Sequence, residues 1–299
     1  MNRPVTTVAS IHRYPVKSML GETLQECAVG ERGLLADRAY ALLDVEQGTV
    51  ASAKDPRRWG ALLEFAATFT EEPRPGQDVP PVLLAFPDGT RHRSDDPDVD
   101  EALSAALRHP VVLVREPPVD PRFDEVWPDI DGLAPQGFID GTRHRADAET
   151  GEPVSRIALG SMAPAGTFFD LAPLHLLTTA TLSRLVELGR DNPGGRPDFD
   201  PRRYRPNLLL EDDGDGFVED GWVGSTLTVG DAQINVSMLT MRCVMTTLGQ
   251  RDLHPDVDTL RTIARHHRQE IPGLGTWACA GVYAGVSSAG TVRVGDVLG

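Results

Sequence analysis

The chain has 299 residues, of which 40% are hydrophobic, and a formal net charge of −15 at pH 7. This length can bury a large core and is typical of about two domains. The negative charge, with no block rich in lysine or arginine, repels phosphate backbones and anionic lipids. No apolar run is long enough for a transmembrane helix, and residues 1–7 lack the apolar stretch of a signal peptide. We therefore expect a cytoplasmic protein that binds neither nucleic acid nor membrane.

Predicted strands dominate the first half of the chain. Short apolar segments bounded by turn residues predict strands over residues 5–11, 23–29, 39–44, 62–69 and 82–86. Residues 87–90 predict a hairpin turn after the last of these. Val99, Leu103 and Leu107 then recur at four-residue spacing and predict a helix over residues 98–108, with Asp98 near its start.

Periodicity fades between residues 117 and 168, where proline, glycine and aspartate accumulate. Such a stretch predicts a long connecting region that is partly ordered, because structureless loops of this length are unusual inside compact proteins. We expect the domain boundary to lie within it.

Strands and helices alternate in the second half. A strand over residues 175–177 leads into a helix that begins at Thr178 or Thr179 and ends at Gly189. A loop over residues 191–201 precedes a buried strand at 208–210, and a further helix is predicted over residues 256–269. The similar segments 227–231 and 292–296 predict strands of a small barrel.

Cysteine and lysine are both rare. Cys27, Cys243 and Cys279 are odd in number and far apart, which argues against a disulfide framework and excludes a four-cysteine iron–sulfur site within this chain. Lys17 and Lys54 are the only lysines among 29 basic residues. Codon bias is one explanation, but a retained lysine also suggests a need for a compact ammonium group, which we infer for Lys17.

Three groups of residues are candidates for chemistry. Cys243 follows Arg242, and a thiolate beside a fixed cation can bind a soft or redox-active metal, although a free cysteine is often a small buried hydrophobe. Arg205, in a cluster with two further arginines, precedes a buried strand and can clamp phosphate, unless the loop is merely solvated. Thr178 and Thr179 offer an anion site at a helix start, or an ordinary cap.

Several familiar motifs are absent, including the glycine-rich dinucleotide and phosphate loops, the hydrolase serine elbow and the HExxH zinc motif. His254, His266 and His267 lack the usual ligand spacing for zinc with Cys243. Residues 211–216 resemble a calcium loop, but Phe217 stands where an oxygen ligand is needed, so a turn between strands is the better interpretation.

Motifs spread along the chain resemble one family, the MOSC proteins with an N-terminal MOSC β-barrel domain. Each motif alone is weak evidence for the family, whereas all of them in this order are quite specific for it. They comprise Tyr14-Pro15-Val16-Lys17-Ser18, Gly33-Leu34-Leu35-Ala36-Asp37-Arg38, Tyr204-Arg205-Pro206-Asn207, Arg242-Cys243 with Thr246-Thr247, and Val294-Gly295-Asp296. Within this family, the chain looks similar to the mitochondrial amidoxime-reducing components and to the bacterial reductases of N-hydroxylated bases.

The resemblance implies a molybdenum cofactor with a pterin, whose metal takes Cys243 as its protein ligand and has Arg242 beside it. It implies that the pterin and its phosphate are held by polar and basic residues from both ends of the chain, namely Lys17, Ser18, Arg38, Arg205 and Asn207. Thr178 or Thr179 stands where relatives place a hydroxyl near the cofactor. Met241 replaces the serine that the amidoxime-reducing relatives carry before the arginine, so one polar contact near the metal is either missing or made by backbone.

We therefore predict an α+β, predominantly β protein with a few flanking helices. An N-terminal β-barrel-like domain over residues 1–120, a connecting region over 121–165 and a MOSC β-barrel domain over 166–299 would enclose the cofactor in the cleft between the two domains. The implied function is a molybdenum-dependent reductase of N-hydroxylated or related small-molecule substrates, in which Cys243 and Arg242 serve catalysis. Electrons would come from a separate flavin or iron–sulfur protein. The alternatives are a persulfide carrier that uses Cys243 and a non-catalytic cofactor-binding module.

Overall fold

The computed structural model describes residues 5–192 and 197–299, so part of the predicted 191–201 loop and of the 1–7 segment lies outside the described residues. Strands predominate over helices, which confirms the predicted fold class. The strands are β1 (Thr7–Arg13), β2 (Glu22–Leu24), β3 (Glu26–Gly30), β4 (Gly33–Leu34), β5 (Ala41–Asp44), β6 (Ala66–Phe69), β7 (Val82–Ala85), β8 (Arg91–Arg93), β9 (Val111–Val114), β10 (Arg122–Val126), β11 (Arg143–Ala146), β12 (Pro153–Ala158), β13 (Leu174–Thr178), β14 (Leu208–Glu211), β15 (Thr226–Val229), β16 (Ala232–Met241), β17 (Arg268–Ile271), β18 (Gly275–Ser288) and β19 (Gly290–Arg293). The α-helices are α1 (Pro56–Trp59), α2 (Val99–Leu107), α3 (Gln136–Thr142), α4 (Thr179–Leu188) and α5 (Asp258–His266).

The largest sheet contains strands from both ends of the chain. Its order is β15-β16-β18-β13-β14-β1-β2, and β17 also pairs with β18. Within it, β13 and β14 are parallel, whereas β1 runs antiparallel to β14 with Ile11 opposite Leu208. Single bridges join Val297 to Thr7 of β1 and Leu298 to Val229 of β15, so residues 297 and 298 link strands from opposite halves of the sheet.

Alternating burial explains how this sheet forms the main core. Along β16 buried and exposed residues alternate from Ala232 to Ser237, as expected for a strand with one face in the core and the other in solvent. The neighbouring β18 is buried almost continuously through its middle. Both strands contribute to a core that also contains Val8 and Ile11 of β1.

A second core lies beneath the smaller sheets of the first half. It contains Tyr40 from the segment before β5, Trp59 from α1, Leu84 from β7 and Leu103 from α2. The α2 helix matches the predicted range closely, with Asp98 at its N-cap position. Residues 60–64 form a 3₁₀ helix rather than the first part of the predicted 62–69 strand, so only Ala66–Phe69 pairs, with β7.

The connecting region is more ordered than its composition indicates. It contains the antiparallel sheet β10-β12-β11 and helix α3. Buried Val126 and Val154 pair across β10 and β12, and the Trp127 indole donates a 2.8 Å hydrogen bond to Ser155 Oγ. The predicted domain limits stay a prediction, but strand pairing crosses them, since β1 and β2 belong to the large sheet.

Two helices of the second half follow the sequence prediction. Helix α4 begins after Thr178, whose hydroxyl accepts a hydrogen bond from the amide of Thr181, and is capped by Gly189. Helix α5 is shorter than predicted because β17 begins at Arg268 and pairs with β18. Over the residues that the structure describes, no helix combines the length and the apolar character required to traverse a lipid bilayer.

Candidate functional site

A cleft of about 720 Å³, including the solvent at its mouth, opens between the segments after β1, before β13 and at the end of β16. It gathers seven of the nine predicted site residues, which come from four separate stretches of sequence. These are Lys17, Ser18, Arg38, Arg205, Asn207, Arg242 and Cys243. The structure thus brings together residues that lie more than 200 positions apart.

Both lysines of the chain lie in this cleft and share one carboxylate. Lys17 Nζ forms an ion pair with Asp170 and donates a 3.1 Å hydrogen bond to the carbonyl of Phe168. Lys54 Nζ lies 3.4 Å from Asp170 Oδ2 and 3.3 Å from Glu125 Oε2. Although burial opposes ionisation, the two ammonium groups hold the pKa of Asp170 well below its usual range. The cleft therefore contains a compact network of paired charges.

Cys243 is the cysteine that opens into the cleft, whereas Cys27 and Cys279 are buried in the core. It lies between the end of β16 and a 3₁₀ helix over Val244–Thr247. Burial raises the pKa of the Cys243 thiol to about 11, and Lys54 opposes that rise. Burial also raises the pKa of the neighbouring Glu125. The sulfur is accessible from the cleft but is a neutral thiol at pH 7 in this state.

Two arginines enclose the ring of Tyr14. The guanidinium of Arg205 lies 4.1 Å from the ring centroid, and that of Arg38 lies 4.7 Å from it. Arg205 Nη2 donates a 2.8 Å hydrogen bond to the carbonyl of Met19, but its Nη1 is buried and has no hydrogen-bond partner within residues 5–192 and 197–299. Burial lowers the pKa of Arg205 to about 10. A buried donor of this kind is suited to an anionic ligand.

The backbone is strained at three of these residues. Ser18, Arg38 and Arg205 have φ angles of 64°, 47° and 54°, in the left-handed region that residues other than glycine rarely adopt. Such strain costs of order 1 kcal/mol or more per residue, and it persists where surrounding contacts impose it. For Ser18 one such contact is visible, because its Oγ accepts a 3.1 Å hydrogen bond from the amide of Ala53.

Arg242 is held by the wall of the cleft. Its Nη2 donates a 3.0 Å hydrogen bond to the carbonyl of Tyr204, and its Nη1 lies 3.3 Å from His175 Nε2. Burial, with Arg242 adding to it, lowers the pKa of His175 well below its ordinary value. The imidazole is therefore neutral and accepts from Arg242. Arg242 Nε, however, is buried without a partner in the described part of the chain.

Asn207 lines the cleft, but its amide group mainly joins segments of the protein. Its Nδ2 donates to Asp37 Oδ2 at 2.8 Å and to the carbonyl of His12 at 3.2 Å, and its Oδ1 accepts from the amide of His175 at 3.1 Å. Asp37 in turn accepts from the amide of Tyr14 and pairs with Arg38. Asn207 thus positions the residues that carry charge.

Thr178 and Thr179 form hydrogen bonds elsewhere in the fold, and their predicted role in cofactor binding stays a prediction. The Thr178 hydroxyl donates a 2.6 Å hydrogen bond to the buried carboxylate of Glu219 and caps α4. The hydroxyl of Thr179 donates to the carbonyl of Asp212 at 3.2 Å. Neither lines the cleft. Thr178 has the ordinary capping role that the sequence also allows, whereas Thr179 joins α4 to the backbone of Asp212.

Sequence reasoning missed several residues of the cleft. Lys54 was missed, although it is as rare as Lys17 and the same signal could have identified it. Asp170 and His175, which line the cleft, and Glu125, which pairs with Lys54, carried no signal, because residues of these types are common and their importance depends on neighbours distant in sequence. Tyr283, whose ring centroid lies 5.9 Å from that of His175, also lines the cleft.

Comparisons with known proteins agree with this architecture. Residues 165–299 match the MOSC domain, and residues 5–68 match the MOSC N-terminal beta barrel domain. A search of curated proteins finds no significant match. Among solved structures, the chain is similar to the YUAD protein from Bacillus subtilis, with 9% sequence identity, 98% of this chain and 94% of that chain covered, and a TM-score of 0.42.

That structural score is too low to support an argument, so the assignment rests on the two domain matches. Together they include the segments that carry Lys17, Arg38, Arg205 and Cys243. The MOSC domain family is known for molybdenum cofactor binding. The chain is therefore a MOSC-domain protein with an N-terminal MOSC β-barrel domain.

Proposed function

We propose that this protein is a molybdenum-cofactor-dependent oxidoreductase that reduces N-hydroxylated or related N–O substrates. One observation carries the proposal. A single accessible cysteine, Cys243, faces the same cleft as two arginines that each keep one buried nitrogen unpaired within residues 5–192 and 197–299, Arg205 Nη1 and Arg242 Nε. Buried polar groups are nearly always satisfied, so an unpaired donor in a cleft suggests a ligand.

The donor set fits a pterin cofactor that carries phosphate. The guanidinium group of Arg205 presents several N–H donors in a planar fork, which matches phosphate oxygens. Arg205 has no carboxylate in hydrogen-bonding contact, unlike Arg38, which is paired with Asp37. Arg205 would therefore meet the phosphate, while Lys17, Ser18 and Arg38 would contact the pterin. Asn207 would act by holding His175 and Asp37 in place.

Cys243 would hold the metal through its sulfur. A thiolate is a soft ligand suited to molybdenum, and metal binding displaces the thiol proton even when the free pKa is high. The bound cofactor would supply the two-electron chemistry, whose balance is N–OH + 2 e⁻ + 2 H⁺ → N–H + H₂O. Lys54 and Glu125 lie beside the sulfur, and since burial raises the pKa of Glu125, this carboxyl is protonated more readily than an exposed one. These groups would hold protons at the reacting end of the cleft.

Electrons would come from a separate flavin or iron–sulfur protein. Three cysteines cannot build a four-cysteine cluster within the chain. The net charge of −15 favours a donor with a basic contact surface, because complementary charge accelerates encounter.

The test compares Cys243→Ala with Cys279→Ala, both produced in a host that makes molybdenum cofactor. Cys279 lies in the core and outside the cleft, so its variant controls for loss of a thiol. We expect Cys243→Ala to lose most of its molybdenum, measured by elemental analysis and pterin fluorescence. We also expect its reduction of benzamidoxime with a chemical reductant to fall at least 100-fold. Full metal content and turnover in Cys243→Ala would refute the proposal.

The accessible thiol beside Lys54 also favours a second function, in which Cys243 carries a persulfide to an acceptor. Mass spectrometry of the purified protein separates the two. One extra sulfur atom on Cys243 without molybdenum supports carriage. Retained molybdenum with no turnover of any oxidised substrate would instead indicate a binding module.

A further inference from the structure

A second, larger concavity continues from the cleft. It encloses about 2670 Å³, including open solvent, and we call it the side groove. Four segments line it, within residues 30–39, 75–79, 114–121 and 159–167. Arg38 belongs to both cavities. The two cavities therefore adjoin each other at this side chain.

The lining of the side groove is mostly apolar and rigid. Glycine, proline, alanine, leucine and valine form most of it, whereas charged residues are a minority. Proline contributes from three of the four segments, with Pro75, Pro117, Pro118, Pro121 and Pro164. Proline has a fixed φ angle, so little conformational entropy is lost when a ligand binds against it. Such a lining is typical of small-molecule sites with few polar anchors.

The charges around the side groove do not favour an anion. Three arginines and four carboxylates line it, so the formal net charge of its lining is −1. Arg38 is paired with Asp37, and Arg32 Nη2 donates a 3.2 Å hydrogen bond to the carbonyl of Ala165. Arg115 lies over the ring of Tyr40. A nucleotide extension of the cofactor would bring further negative charge into this surface, so it is the less favoured occupant.

We propose that the side groove binds the apolar body of an elongated, uncharged or cationic substrate whose N–O end enters the cleft beside Arg38. This inference rests on the proposed function and adds the class of substrate. The length of the side groove, rather than the cleft itself, would then select among N–O compounds. Burial of each additional methylene should tighten binding about threefold to fourfold.

The test uses butanamidoxime and octanamidoxime as substrates. Four more methylenes in the side groove should lower the KM of the native holoenzyme by more than tenfold, with kcat little changed. Ala165 is an exposed lining residue, so Ala165→Trp fills the side groove without disturbing the core. Met162 lies in the same loop, is 46% exposed and does not line the side groove, so Met162→Trp is the matched control.

We expect Ala165→Trp to abolish the KM advantage of octanamidoxime over butanamidoxime, while Met162→Trp keeps that advantage as in the native protein. Calorimetric titration with octanamide, which cannot be reduced, should show the same pattern of binding. Equal KM values for both chain lengths, or a preserved advantage in Ala165→Trp, would overturn the inference. So would binding of a nucleoside monophosphate that Ala165→Trp abolishes. If octanamide binds in an Ala165-dependent way but no amidoxime is reduced, the proposed function fails and the groove assignment stands.

Discussion

His175 shows how one buried residue links the cleft to the stability of the fold. Burial, reinforced by Arg242, keeps its pKa well below the ordinary value of 6.5. Below pH 6.5 His175 becomes protonated in the unfolded chain but stays neutral in the folded protein. The unfolded state then binds more protons, so the free energy of unfolding decreases as the pH falls. The stability that His175 contributes is therefore present above pH 6.5 and lost below it.

The prediction compares the native protein with His175→Gln, whose amide can still accept from Arg242. Between pH 6.5 and pH 5.5 the free energy of unfolding of the native protein should fall by about 1 kcal/mol more than that of the variant. Urea unfolding at several pH values measures both. Parallel pH profiles for the two proteins would show that His175 titrates normally.

At this scale the sequence predicted residue types well and local roles less well. Cys243 and Arg205 were found because a thiol or guanidinium in an unusual context is informative. Thr178 was predicted as an anion site or an ordinary cap, because a threonine at a helix start has the same signature in both roles. The strained backbone of Ser18 and Arg38 could not be foreseen, since tertiary contacts impose it.

At the scale of elements, β18 depends on one glycine. Gly281 has a φ of +83°, and a Cβ there would lie 2.6 Å from the carbonyl oxygen of Leu176 and from His175 Nε2. Gly281 therefore allows β18 to approach β13 closely. Gly285, in the same strand, has open space around the corresponding position.

We predict that Gly281→Ala lowers the free energy of unfolding by about 2–3 kcal/mol, because it adds backbone strain and a contact with backbone that cannot move aside. Gly285→Ala should change it by less than about 1 kcal/mol. Urea denaturation of both variants checks this. A loss of similar size in the two would mean that the strand tolerates no side chain at either place, and that the approach to β13 is not the cause.

The sequence predicted the elements that carry a local pattern and missed those that are stabilised mainly by strand pairing. Helices α2 and α4 and strands such as β14 carry a local pattern, and they were predicted nearly to the residue. The β10-β12-β11 sheet was not predicted, because its strands are short and the segments between them are rich in proline, glycine and aspartate. Its stability comes from pairing and burial around Trp127 rather than from periodicity.

At the scale of the whole molecule, Asn207 joins the first 40 residues of the chain to its second half. Its side chain bonds to His12 and Asp37 on one side and to His175 on the other. Its relative exposure is 1%, so water cannot replace these partners easily. The pairing of such distant segments has no signature in a single sequence, which is why the motifs indicated a shared site but not its geometry.

We predict that Asn207→Ala lowers the free energy of unfolding by about 3 kcal/mol. Three hydrogen bonds are lost, and the buried carboxylate of Asp37 loses one of its donors. Asn192→Ala is the control, because within residues 5–192 and 197–299 its side chain makes one hydrogen bond, to Thr262, in a partly buried position. It should cost about 1 kcal/mol. Chemical denaturation measures both, and an equal loss in the two variants would contradict the joining role of Asn207.

The pairing of β1 with β14 also has a consequence for synthesis on the ribosome. Thr7 of β1 lies opposite Glu211, about 200 residues later in the chain. At about 5–20 residues per second, β14 emerges roughly 10–40 s after β1. Throughout that interval only β2 is available to pair with β1, and the edge of β1 that later pairs with β14 stays exposed. Premature pairing with another copy competes with folding during this time, so the rate of translation bears on how much protein reaches its native form.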